Sequence, residues 1–252
     1  AADAYAHLSV VDEENATYWL EQGARWYTAA GDQVKAAALY QQLEKMAKSP
    51  SDRERYQLQL FNSLVAGGES ARALRWLDGQ LPQLNSSAWS VDLLQAGIRE
   101  ARGHSDSARA LAYLQRWHEL QPDDLEWLQQ AFVVTLAAGD LQQAWTLGQE
   151  LYARQPDDAL LRQLAQLGEW AGHPAQALPL WIDLARSSGA PADYEHAWQL
   201  SGQLFDYPQM SNLLVELAEI RPLNLPELKA LVFALEMQAR PEEARDWLGL
   251  YV

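Results

Sequence analysis

Gly31-Asp32-Gln33-Val34-Lys35-Ala36 is the first of seven related hexapeptides in this 252-residue chain. The others read Gly68 to Ala73, Gly103 to Ala108, Gly139 to Ala144, Gly172 to Ala177, Phe205 to Met210 and Ala239 to Ala244. Their final residues (36, 73, 108, 144, 177, 210, 244) lie 37, 35, 36, 33, 33 and 34 positions apart, the period of stacked helix-turn-helix units. Five of the seven copies open on glycine, which takes the left-handed conformation that ends a helix without a side-chain clash. An acid often follows, as in Asp32, Glu69, Asp140 and Asp206, where a carboxylate accepts from the free N–H groups opening the next helix. The closing residue is Ala in six copies and falls where the two helices of a hairpin approach closely.

Each repeat therefore reads as helix A, a turn, helix B and a connector that often holds proline, as in Ser49-Pro50-Ser51-Asp52, Gln121-Pro122-Asp123-Asp124 and Gln155-Pro156-Asp157-Asp158. Proline stops one helix and the Asp residues start the next. Leu141, Ala144, Leu147 and Leu151 recur at helical spacing, and no strand period competes. The expected architecture is all-α, a right-handed superhelical solenoid running through residues 1–252. Its units fall at approximately 14–50, 51–85, 86–121, 122–155, 156–190, 191–222 and 223–252. The sixth copy, with Phe205 for the turn glycine and Met210 for the small residue, predicts a distorted turn. The chain opens without Met and stops at Leu250-Tyr251-Val252, inside what should be a helix B. A piece of a longer array is the expectation.

Composition narrows the function classes. Apolar residues make up 48% of the chain, enough for a continuous core, yet no apolar run approaches the roughly 20 residues of a membrane span. The absence of cysteine excludes disulfides, thiolate metal sites and Cys nucleophiles, and suits an oxidising compartment. The 34 acidic side chains outnumber the 19 basic ones, for a net charge of −15. Such a surface repels phosphate backbones and argues against nucleic acid; it favours a cationic protein patch or cationic polymer.

Period, turn and small residue together resemble the tetratricopeptide repeat. Ala24 with Tyr27, Ala36 with Tyr40, Ala144 with Pro156 and Ala177 with Trp181 fit its pattern, whereas Phe61, Phe132 and Trp198 stand where that family prefers Gly or Ala on helix A. A narrower likeness is to the periplasmic helical arrays of bacterial exopolysaccharide exporters, in segments such as Leu120-Gln121-Pro122-Asp123-Asp124 and Ala138-Gly139-Asp140-Leu141-Gln142-Gln143-Ala144. That resemblance implies a non-enzymatic scaffold beneath an outer-membrane pore. It would engage a periplasmic polysaccharide hydrolase or deacetylase of the same pathway, and a cationic polysaccharide is a further ligand it suggests. A soluble adaptor holding a peptide in its groove is the rival.

No catalytic or metal constellation emerges and no cofactor is expected. No two of the five histidines stand four apart, and His104 and His173 fill the turn slot taken elsewhere by Asp32 and Asp140. Asp123-Asp124 and Asp157-Asp158 recur at equivalent places, which marks them as helix caps. The sole opening for chemistry is around Glu195, His196 and Asp206. Among the tryptophans, Trp76, Trp145, Trp181 and Trp247 are expected in the core between units, and Trp19, Trp127 and Trp170 on the surface. Helix A lines the concave face of the family that the chain resembles. On that register the candidate partner-binding residues are Tyr18, Arg25, Arg55 and Asn62 in the first two units and Gln129 in the fourth. The fifth supplies Arg162, Gln166, Glu169 and Trp170, the sixth Glu195 and Gln199, and the seventh Lys229, Phe233 and Glu236. Glu21, Glu100 and Val133 lie on the same face. The mixed charge of this face, with Leu58 and Leu93 where basic residues would be needed, argues against a clamp for terminal carboxylates.

Overall fold

A computed structural model describes residues 2–250, and all the elements formed by the described residues are helical. Tyr251 and Val252, on which the expected unfinished helix B bore, fall outside the described residues. A leading helix, α1 (Ala2–Val11), precedes seven helix-turn-helix repeats in chain order. These are α2 (Ala16–Ala29) and α3 (Gln33–Met46), α4 (Pro50–Ala66) and α5 (Ser70–Gln80), α6 (Ala88–Gly103) and α7 (Ser107–Leu120), α8 (Leu125–Ala137) and α9 (Leu141–Arg154). There follow α10 (Asp158–Trp170) and α11 (Pro174–Ser188), α12 (Pro191–Gln203) and α13 (Tyr207–Ile220), α14 (Leu225–Met237) and α15 (Pro241–Gly249). The chain divides into two compact units, 1–138 and 139–252. In the first, each helix from α1 to α8 packs on the next and α4 also packs on α6; in the second, each helix from α9 to α15 packs on the next. This is an all-α solenoid of repeats similar to the tetratricopeptide type.

The turns explain the period. A single left-handed residue stands between the two helices of every repeat: Gly31, Gly68, Ser105, Gly139, Gly172, Phe205 and Ala239. In six of them the next N–H reaches five residues back into the preceding helix, for example Asp32 to the Tyr27 carbonyl at 2.9 Å and Asp106 to that of Ala101 at 2.8 Å, the bond that closes a helix around a left-handed residue. Asp32, Asp106, Asp140 and Asp206 then cap the following helix through its N3 amide. One Asp of each recurring pair also caps a helix, Asp157 through the N3 amide of α10 and Asp124 through the N2 amide of α8.

Two expectations about the turns need correction. The third copy of the motif is Ser105 to Ala110, not Gly103 to Ala108: Gly103 ends α6 in ordinary helical geometry, Ser105 carries φ 57°, and Ala110 is fully buried while Ala108 is exposed. Burial of the small residue four positions after the capping Asp sets the frame, and glycine alone does not. The turn residues are then 37, 37, 34, 33, 33 and 34 apart. His104 consequently leaves the capping slot and instead meets Glu100 at 3.0 Å. The sixth turn is also undistorted. Phe205 adopts φ 59°, Asp206 donates to the Ser201 carbonyl at 2.9 Å and caps Gln209, and Met210 is buried. Gly202 makes the room: a Cβ there would lie 3.3 Å from the Met210 sulfur.

Helix A also shows how bulk is accommodated where the family prefers Gly or Ala. Phe132 and Trp198 follow the small Ala131 and Ala197, both buried, so small and large exchange places between adjacent positions. Close approach is enforced again at Gly168, where a Cβ would fall 2.6 Å from the Trp145 ring. Trp145 and Trp181 are buried as expected, whereas Trp76 and Trp247 are only half-buried.

Candidate protein-binding face

Six residues before each turn, helix A presents an outward position. In the first compact unit this row reads Arg25, Asn62, Arg99 and Val133, all exposed. Arg99 and Arg102 escaped the sequence reading because the third turn was placed two residues early, which put Glu100 in the slot three before the turn that Arg102 takes. The signal that locates them was present in the spacing of Asp106 and Ala110.

Two clefts open beside this row. One, of about 420 Å³, is lined by Arg25, Tyr40, Arg55, Tyr56 and Trp89 around Glu21. Glu21 accepts from the Arg55 guanidinium at 2.8 Å and from the Tyr56 hydroxyl, while Arg25 stands 4.0 Å from its other oxygen. Burial, then the Glu21 carboxylate, pushes the Tyr56 hydroxyl up to about 12, so it remains a donor at neutral pH. Arg25 and Arg55 are thus brought together by one carboxylate, and three aromatic rings surround them.

The second cleft, of about 480 Å³, lies between α6 and α8. Arg99 and Arg102 line it with Ser105 and Ser107, against Val134 and Ala137. Arg102 touches only the neutral Gln130 amide at 3.3 Å, and no carboxylate lies within ion-pair distance of Arg99 or Arg102 among the described residues. Two guanidinium groups without an acid are conspicuous in a chain carrying −15. Planar forks of this kind recognise carboxylates in paired hydrogen bonds.

In the second compact unit the predicted residues form smaller groups. Arg162 grips Asp193 through two bonds of 2.5 and 2.8 Å; Asp193 is 2% exposed, and Arg162 holds its carboxyl below the usual range against the opposing effect of burial. Glu169 accepts from Trp181 Nε1 and meets His196 Nε2, each at 2.7 Å, and the His196 ring lies 4.1 Å from that of Trp181. This couples His196 to packing; Asp206 is occupied as the cap of α13. Trp170 is 67% exposed. Gln166, Gln199, Glu195, Lys229 and Glu236 are exposed, with Gln199 on Glu195 at 3.3 Å. Phe233 stands edge-on to Tyr207. In the first unit, Tyr18 is exposed and edge-on to Trp19, and Gln129 is half-buried.

Trp19 and Trp127, expected on the surface, are half-buried and held by their indole N–H groups, Trp19 on Asp12 at 2.9 Å and Trp127 on the Leu114 carbonyl at 2.8 Å. The exposed indole that sequence missed is Trp26, 51% exposed in α2. Among the described residues no cluster of three metal-ligating side chains occurs, and no helix is long and apolar enough to cross a membrane.

No known family profile matches the chain, nor does any curated protein sequence. Among solved structures, one described as Naa15/Naa10 bound to HypK-THB superposes over 92% of this chain with a TM-score of 0.60 at 12% identity. The likeness is one of fold. The chain covers 35% of that structure's matched chain. MamA from AMB-1 matches over 62% of this chain and 85% of its own at 16% identity and a TM-score of 0.41. MamA from Desulfovibrio magneticus RS-1 matches over 62% and 90% at 15% identity and a TM-score of 0.39.

Proposed function

We propose that this chain is a non-enzymatic, protein-binding tetratricopeptide scaffold, belonging to the periplasmic part of a bacterial exopolysaccharide exporter of the Pel type. It resembles PelB and would hold a PelA-like hydrolase or deacetylase beneath the outer-membrane pore. The observation that carries the protein-binding reading is the cleft of Arg99 and Arg102. Most other arginines of this scaffold meet one of its own acids, whereas Arg99 and Arg102 stand together in one cleft without one, beside Val134 and Ala137, the composition of an interface anchor. An acidic segment of the partner supplies the missing carboxylates.

Calorimetric titration of the chain with the purified pathway enzyme tests this. The double variant Arg99→Ala/Arg102→Ala should weaken binding by about tenfold or more, as loss of anchor residues does, with helix content unchanged. No binding by the native chain rejects the partner, and unchanged affinity in the variant rejects the cleft. Net charge favours a second reading, direct contact with a cationic polysaccharide, which would weaken steeply with salt.

A further inference from the structure

A third depression in the first compact unit differs from both clefts in position and chemistry. It holds about 360 Å³, within the roughly 300–1,000 Å³ range of small-ligand sites. Its walls come from α3 and α5, the second helices of two repeats, closed by the start of α4 and the turn after α5. Four glutamine amides face it, from Gln41, Gln57, Gln80 and Gln83. Gln57 is 5% exposed and is fixed from both sides, its amide nitrogen donating to Glu44 at 2.9 Å and to Gln80 at 3.3 Å. A polar floor is therefore built into the fold.

The half-buried Trp76 is the one apolar side chain in the lining. A groove for a peptide anchor would need more, since such anchors are held by apolar pockets. Amide groups that both donate and accept, set around an indole, instead match a sugar ring, whose hydroxyls both donate and accept and whose C–H face is apolar. Lys45 and Arg53 also line the groove and have no ion-pair partner among the described residues, against the single carboxylate of Glu44. Two cations and one anion give this groove a local charge opposite to that of the whole chain, so an amine-bearing sugar is repelled.

We infer that the groove between α3, α4 and α5 binds an oligosaccharide without free amines, stacked on Trp76 and hydrogen-bonded by the glutamine amides. The ligand class follows from these side chains whatever protein occupies the helix-A face. It is the opposite charge preference from a cationic glycan held by the acidic surface at large.

Two tetramers of one ring skeleton separate the cases: N-acetylglucosamine tetramer, which is neutral, and glucosamine tetramer, which is cationic. The intact chain is titrated with each, and with an unstructured Ser/Gly peptide, by calorimetry and intrinsic tryptophan fluorescence. The expected result is binding of the neutral tetramer at least about tenfold tighter than the cationic one. That binding should fall about fivefold or more in Trp76→Leu and also in the double variant Gln41→Ala/Gln83→Ala, which tests the site even if Trp76→Leu disturbs packing. Equal or tighter binding of the cationic tetramer, binding unaffected by the Gln41→Ala/Gln83→Ala variant, preference for the peptide, or no binding of either sugar overturns the inference. Loss of enzyme binding with the sugar site intact would instead count against the scaffold reading alone.

Discussion

Replacing Ala239 by glycine should stabilise the second compact unit, and replacing Gly172 by alanine should destabilise it. Both residues sit in the left-handed slot, at φ 57° and 83°. A Cβ at Gly172 would meet nothing within 4 Å, and Ala239 is exposed, so contacts drop out and conformation alone decides. A non-glycine residue in this region costs roughly 1–2 kcal/mol. Glycine gives back about 0.4–1 kcal/mol by enlarging the unfolded ensemble. The difference is a gain of about 0.5–1 kcal/mol for Ala239→Gly and a comparable loss for Gly172→Ala. Urea titrations read by circular dichroism should show opposite midpoint shifts with unchanged slopes, and melting points should move by roughly 2–4 °C per kcal/mol. A midpoint that falls or stays fixed in Ala239→Gly, or rises in Gly172→Ala, would refute the premise that backbone strain is stored in the turns.

Other outcomes follow from packing and charge. Arg162→Ala strands the nearly buried Asp193 with only Ser188 as a hydrogen-bond partner and should cost about 1–3 kcal/mol; Arg162→Lys should restore little of it, because the two-pronged contact is lost, and full recovery would contradict that geometry. Asp193 and Glu227 both have carboxyls lowered by their arginines, Arg162 and Arg221. Their stabilising effect is therefore complete above the ordinary carboxylate range of roughly 4 and is lost as pH falls through the lowered values, where the unfolded chain binds protons first. Asp193→Asn should flatten that part of a stability-versus-pH curve, and an unaltered acid limb would count against it. Gly168→Ala drives a methyl into Trp145 and should destabilise by about 1–3 kcal/mol through overpacking, partly offset by about 1 kcal/mol of helix propensity; a net gain by thermal melt would show that Trp145 moves freely.

The fold was legible because one turn chemistry is repeated seven times, so each copy corrects the reading of the others. Where the third copy lacked its glycine, the reading slipped to a nearby one. Ser105 took the left-handed slot two residues beyond Gly103, and with that shift Arg99 and Arg102 left the predicted face. Phe205 and Ala239 show the same physics: a backbone bond into the preceding helix and an Asp cap or a following Pro hold the turn even when the residue type argues against it. Side-chain partners were harder to foresee than helices. Trp19 and Trp127 are tied down by single hydrogen bonds to groups seven and thirteen residues away, which no helical period encodes. The glutamines of the α3–α5 groove come from separate helices of two repeats and carry no motif of their own.

Within each compact unit, the contacts that join one helix to the next have a kinetic consequence. Loops to be closed before a native contact forms are short, so little chain entropy opposes the first encounters, and folding can begin at any hairpin within a compact unit. A substitution in one turn then changes the rate at which its own hairpin opens and leaves distant hairpins at their native rates. Hydrogen exchange resolved along the chain would display the array as a sequence of separate clocks, with the turns at Ser105, Phe205 and Ala239 running fastest.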